Sequence, residues 1–189
     1  MEKIIVACSS GRLAGLAQVV AVASDQAEAP ALAKAIAAGV PHVEALDRRR
    51  FPSRGAYDQA LEGLLASWQP DLICLAGYLR LLPASTVHQW QHRIVNVHPA
   101  LLPSFPGLHA QRQAVEYGVR VSGCTVHLVD AGMDTGPILL QEAVPVLPND
   151  TEESLAARIL PVEHKLYVEA IHNLLTRPWR VEGRRVVWD

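Results

Sequence analysis

An α/β fold, a mostly parallel sheet with helices on both faces, is what the sequence predicts, and three observations predict it. Short apolar, β-branched runs alternate with longer stretches of helical period. Half of the residues are hydrophobic and only 19% are charged, the balance of a chain with a sizeable core. At 189 residues the chain is long enough for one domain and too short for two of ordinary size, so a single domain over residues 1–189 is expected.

The first expected strand is KIIVAC from Lys3, followed by QVVAVAS from Gln18. Only nine residues separate Cys8 from Gln18, fewer than the roughly 10–12 that a parallel crossover with its helix needs. The first crossover helix is therefore expected to be shortened or absent. Ala29 to Ala38 is Ala-rich and stops at Gly39, which suits a helix with a glycine at its end. HVEAL from His42 reads as a strand, and RRR at Arg48 to Arg50 as a solvated face.

Ser53 to Trp68 begins at an N-cap residue and lines up Tyr57, Leu61, Leu64, Leu65 and Trp68 along one helical face. DLICLAG from Asp71, RIVNVH from Arg93 and CTVHLV from Cys124 supply the next strands. After Val129 the pattern changes: ILLQEAVPVL predicts an antiparallel strand, and Thr151 to Leu175 a long helix with acidic residues in its first turn. The tail RVEGRRVVWD predicts a terminal hairpin.

Composition narrows the function. With 17 Lys and Arg against 19 Asp and Glu, no basic excess exists to hold a phosphate backbone, so a nucleic-acid partner is not expected. Cys8, Cys74 and Cys124 each sit alone in an apolar run and read as reduced thiols of a cytoplasmic protein. No secretory signal or run of about 18 apolar residues is present, so no membrane association is expected.

The stretch VNVHPALLPSFPGLHA, from Val95 to Ala110, raises the chemical question. Residues i and i+2 of a strand face the same way, so Asn96 and His98 project together at the strand's carboxyl end, where ligands bind in open α/β sheets. An amide donor beside an imidazole suits a carbonyl oxygen that becomes negative. A cap and a half-buried ring bonded to a turn is the plainer use of the same pair. In VHLVDAGMDTGPILL, Asp134 falls where the chain must turn; it is either a carboxylate partner for an imidazole or an Asx-turn residue. His88 and His92 have the i,i+4 spacing of a metal pair but no third ligand, and read as solvated helix residues. SSGRLAGL after the first strand is a weak candidate for a phosphate loop, and Arg54 for an anion contact.

Taken together, NVHPALLPSFPGLHAQRQAVEYG, AGYLRLLP from Ala76, SRGAYD from Ser53, GCTVHLVDAGMDTGPILLQ from Gly123 and VEHKLYVEAI from Val162 resemble the folate-dependent formyltransferases. Among these the resemblance is to the phosphoribosylglycinamide formyltransferases of purine synthesis, in order from about Ser53 to Ile171. It implies a Rossmann-like formyltransferase fold, with 10-formyltetrahydrofolate as donor, the amine of glycinamide ribonucleotide as acceptor and no metal. Asn96 would bind the formyl oxygen, His98 act as general acid, and Asp134 raise the His98 pKa and relay the amine proton. Arg54, Leu79, Arg80, Leu81 and Leu82 match folate-side positions; Pro99 and Glu163, the latter with Pro161 and Val162, match the substrate side.

Ser10 and Gly11 match the start of the family's phosphate loop. Arg12, Leu13, Ala14 and Gly15 depart from its core, leaving Arg12 as a charge that substitutes for the missing helix N-terminus. The remaining alternatives are a 10-formyltetrahydrofolate hydrolase using the same triad and a non-catalytic folate-binding relative. Small molecules are the expected partners, the protein acting as a monomer or homodimer.

Overall fold

All 189 residues are described in the computed structural model, which divides into two units, Met1–Asp71 and Leu72–Asp189. In the first unit, helix α1 spans Glu2–Ser10, strand β1 Ala21–Ser24, helix α2 Pro30–Ala37, strand β2 His42–Ala45 and helix α3 Arg54–Trp68. β1 and β2 pair in parallel, Val22 opposite Val43. The core here is Ile5 of α1, Val22 of β1, and Leu32 and Ala35 of α2.

The expected strand at Lys3 to Cys8 is instead the body of α1. A short apolar run fits a buried strand or a buried helix segment equally well. A strand needs a neighbour to satisfy its backbone, and the residues before β1 are too few for a crossover; a helix closes its hydrogen bonds internally. Residues 11–20 hold a turn and an unpaired stretch, so no crossover helix is present. α3 starts as expected, the Ser53 hydroxyl accepting from the Ala56 N–H at 3.1 Å. Arg48–Arg50 forms an exposed 3-10 turn, its Arg49 guanidinium bound to Asp47.

The second unit carries strands β3 Ile73–Leu75, β4 Ile94–His98, β5 Val121–Leu128, β6 Ile138–Pro145, β7 Trp179–Glu182 and β8 Arg185–Trp188, with helices α4 Ala84–Gln89, α5 Ala110–Tyr117 and α6 Glu152–Thr176. They form one sheet in the order β3-β4-β5-β6-β8-β7. The α/β class holds and the pairing is mixed: β3 with β4 and β6 with β8 are parallel, whereas β4 with β5, β5 with β6, and β7 with β8 are antiparallel. β6 follows β5 through a short loop, which permits only the antiparallel return. The terminal hairpin is present as β7 and β8.

α6 lays Leu155, Ile159, Leu166, Ala170 and Ile171 into the core, where Cys124, Val126 and Leu128 of β5 are fully buried. Pro161 lies inside this helix and removes one backbone donor from it. The Tyr167 hydroxyl lies 2.9 Å from the Leu75 carbonyl and 2.8 Å from that of Val95, so one proton shared between them ties α6 to β3 and β4. The start of α6 is fixed by its capping box at Thr151 and Ser154. Asp150 just ahead of it accepts from Arg158, from the Leu147 N–H and from the Ser154 hydroxyl.

Arg158 first, then the Leu147 amide, holds the Asp150 carboxyl well below the usual range. A lowered folded pKa contributes stability above the unfolded value, and that stability is lost as pH falls through the folded one. Asp150→Asn is therefore expected to melt lower than the parent at pH 7 and to lose less further stability below about pH 4. Melting temperatures from pH 7 to 2 check this; parallel curves for the two proteins would refute it.

Candidate active site

β4 turns Ile94 and Val95 into the core and ends at His98, where Pro99 follows. In its antiparallel register with β5, Asn96 stands opposite His127 and His98 opposite Thr125. Directly opposed residues share a face, so four polar side chains meet on one side of two central strands. His98, Thr125 and His127 are buried, and Asn96 is half-buried.

The His98 ring lies between two oxygens: Nε2 is 2.8 Å from the Phe105 carbonyl, and Nδ1 is 3.3 Å from Asp134 Oδ2. Both partners are acceptors, so a ring protonated on both nitrogens donates to both, and a neutral ring to one. Asp134 Oδ2 also accepts from the Gly107 N–H at 2.8 Å, and Oδ1 lies 3.7 Å from His127 Nε2. Phe105 and Asp134 both have left-handed backbones, φ 55° and 54°. Side chains disfavour that region by roughly 1–2 kcal/mol each, a cost often found at functional loops.

The turn role that was the alternative for Asp134 belongs to Asp130, whose Oδ1 accepts from the Gly132 N–H and the Thr135 hydroxyl. Gly136 completes the loop because a Cβ there would overlap the Leu128 carbonyl oxygen.

His127 was not singled out by the sequence reading. Its Nδ1–H donates to the Leu128 carbonyl at 3.0 Å, which leaves Nε2 as an acceptor for the Asn96 amide at 3.2 Å. Burial pushes the His127 pKa down, which favours this neutral form. The signal was present in CTVHLV, where Thr125 and His127 alternate with Val126 and Leu128.

Leu79, Arg80, Leu81 and Leu82 follow β3, at the end from which Pro99 leaves its parallel neighbour β4. Leu79 and Leu81 are 74% and 48% exposed, so the unit's own core does not account for them. Half-buried Glu163 sits on α6, with burial raising its pKa, and its charge in turn contributes to a Cys124 thiol that burial pushes up to about 12. Pro99 is half-buried.

In the first unit, Arg54 opens α3 with Asp58 at 3.5 Å one turn on. Exposed Ser10, Gly11 and Arg12 lie at the C-terminal end of α1. Carbonyls rather than free N–H groups face outward there, so Arg12 is the group suited to an anion. His88 is the only member of its pair on a helix; His92 lies beyond α4 with φ 61°, because that helix ends at Gln89. No cluster of three or more His, Cys, Asp or Glu has the arrangement of a metal site, and no helix is long and apolar enough to cross a membrane.

A family model described as formyl transferase matches residues 1–171. The structure is similar to that of glycinamide ribonucleotide transformylase 1 from Symbiobacterium toebii, with a TM-score of 0.93 and 49% identity, covering 99% of this chain and 87% of that one. The sequence is 47% identical over 168 residues to phosphoribosylglycinamide formyltransferase of Mycobacterium tuberculosis, 89% of this chain and 77% of that protein. It is also 47% identical over 159 residues to the trifunctional purine biosynthetic protein adenosine-3 of Drosophila melanogaster, covering 84% of this chain but spanning only 12% of that protein's length.

Because the folded His127 pKa is lowered, the unfolded chain takes up this proton first as pH falls through about 6.5. Its contribution is intact above that pH and declines toward the folded pKa. His127→Gln should reduce stability at pH 7.5 by about 1–3 kcal/mol through lost buried hydrogen bonds and flatten the curve between pH 7 and 5.5. Denaturant midpoints across that range measure both effects; an unchanged slope would contradict the assigned neutral ring.

Proposed function

Since the chain belongs to the formyl transferase family, we propose that it transfers a formyl group from 10-formyltetrahydrofolate to the amine of glycinamide ribonucleotide in purine synthesis. The reading is supported by the names of its M. tuberculosis and S. toebii relatives. The observation that carries its mechanism is the His98 ring set between a carboxylate and a backbone carbonyl, with the Asn96 amide on the same strand face.

The substrate amine attacks the formyl carbon, a C–N bond forms, and the carbonyl oxygen takes the negative charge. His127 occupies one Asn96 N–H; the other donates to that oxygen, as does the His98 Nε2–H once it exchanges the Phe105 carbonyl, its acceptor in the free protein, for the substrate. Preorganised donors of this kind contribute about 2.7–4 kcal/mol each to the barrier. Asp134 balances the protonated ring and takes part in moving the amine proton. Collapse of the intermediate breaks the bond to folate N10, which gains a proton as tetrahydrofolate leaves.

The residues assigned by resemblance belong to the same reading. Leu79, Arg80, Leu81, Leu82 and Arg54 are folate-side contacts; Ser10, Gly11, Arg12, Pro99 and Glu163 are substrate-side contacts. The domain runs over residues 1–189, supported by a family match over residues 1–171 that takes in the first unit and most of the second. The protein is taken as cytoplasmic, working as a monomer or homodimer on small molecules without a metal.

His98→Ala and Asp134→Asn should each lower kcat by about 10²–10⁴-fold while a folate analogue still binds within a few-fold of the parent. Steady-state turnover with fluorescence titration of the analogue measures both. Near-normal turnover in either variant would remove that residue from the mechanism.

A further inference from the structure

The loop leaving His98 is held by two side chains that no step of formyl transfer uses. Thr125 is fully buried and lies directly across from His98 in the β4–β5 register. Its hydroxyl donates to the Ala100 carbonyl at 2.7 Å and accepts from the Leu102 N–H at 3.0 Å and the Gln141 amide at 2.9 Å. The same Gln141 amide donates to the Leu102 carbonyl at 2.9 Å. A hydroxyl has one proton and two lone pairs, and a side-chain NH₂ has two protons. Every one is used, which makes a complete network with no spare arrangement; such networks rigidify what they bind.

What this network binds is the backbone of residues 100–102. The Ser104 N–H then closes a turn on the Leu101 carbonyl at 3.0 Å, and the next residue, Phe105, aims its carbonyl at His98 Nε2. The acceptor on the ring is therefore referenced, through Thr125, to β5, the strand paired with the one that carries the ring.

We propose that Thr125 and Gln141 are positioning residues that set His98 for proton donation by fixing the 99–105 loop. This inference rests on the catalytic reading of His98. A misplacement on the scale of 1 Å is enough to cost about 10²-fold in rate. Loss of the clamp therefore acts on kcat and leaves substrate affinity largely alone, and it depends on the hydroxyl rather than on the volume of Thr125. A purely structural role would instead lower the melting temperature without changing turnover of the folded protein.

The test uses Thr125→Val, Thr125→Ser, Gln141→Leu and, as control, His98→Ala in the full chain, each confirmed folded at the assay temperature by its melting curve. Thr125→Val and Gln141→Leu should lower kcat by about 10–100-fold with KM little changed, and amide exchange at Leu102 should quicken. Thr125→Ser should restore most of the rate. Wild-type kcat in folded Thr125→Val, or equal losses in the Ser and Val variants, would overturn the proposal. Should Thr125→Val not fold, Gln141→Leu decides by the same criterion, since its side chain lies at the exposed end of the network. If His98→Ala keeps its turnover, the functional reading itself has failed; if it is inactive while the clamp variants turn over normally, only the clamp has.

Discussion

Antiparallel pairing of β4 with β5 in a single register decides which side chains can meet: Asn96 opposite His127, and His98 opposite Thr125. The side-chain period of a strand is two, so a slip of one residue would send all four to the other face and expose Val95 and Val126 in their place. The register is secured from that other face. Val95, Cys124, Val126 and Leu128 are fully buried, with α6 laid against β5. Burial of such side chains contributes about 1.5–3 kcal/mol each. The polar cluster on one face is thus stabilised by the packing of the opposite one.

Two loops turn this polar face into a site. The one after His98 supplies the Phe105 carbonyl and the Gly107 N–H; the one between β5 and β6 supplies Asp134. They are joined to each other through the Gly107 contact to the Asp134 carboxylate, so the two oxygens beside the His98 ring are not positioned independently. The left-handed backbones at Phe105 and Asp134 are sustained because both residues are tied to groups outside their own loops. His127 extends the arrangement inward. Burial favours its neutral form, which holds the Asn96 amide in place.

Much of this was legible in the sequence because its signals are local. The period of two in RIVNVH and the Pro after it placed Asn96 and His98, and Ser53 marked the start of α3. The Lys3 to Cys8 run was misread because a short apolar stretch has no period long enough to separate a helix from a strand. His92 fell outside its helix for a related reason, since i,i+4 spacing presumes a helix that here stops at Gln89. His127 and Thr125 were overlooked because their importance arises only across the ladder, through partners some 25 to 31 residues away. Deciding between the two roles offered for Asp134 likewise needed the hydrogen bonds themselves, with the turn made by Asp130 and the Asp134 carboxylate held by Gly107 of the other loop.

The central claim is that this face, with its acid and its oxyanion donors, passes a formyl group to an amine rather than to water. Tetrahydrofolate release from 10-formyltetrahydrofolate, followed with and without glycinamide ribonucleotide, tests it most directly. The account predicts release that depends on the ribonucleotide and matches formylated amine one for one. Equal release in its absence would make the protein a hydrolase, and folate binding with no release under either condition would contradict the catalytic reading altogether.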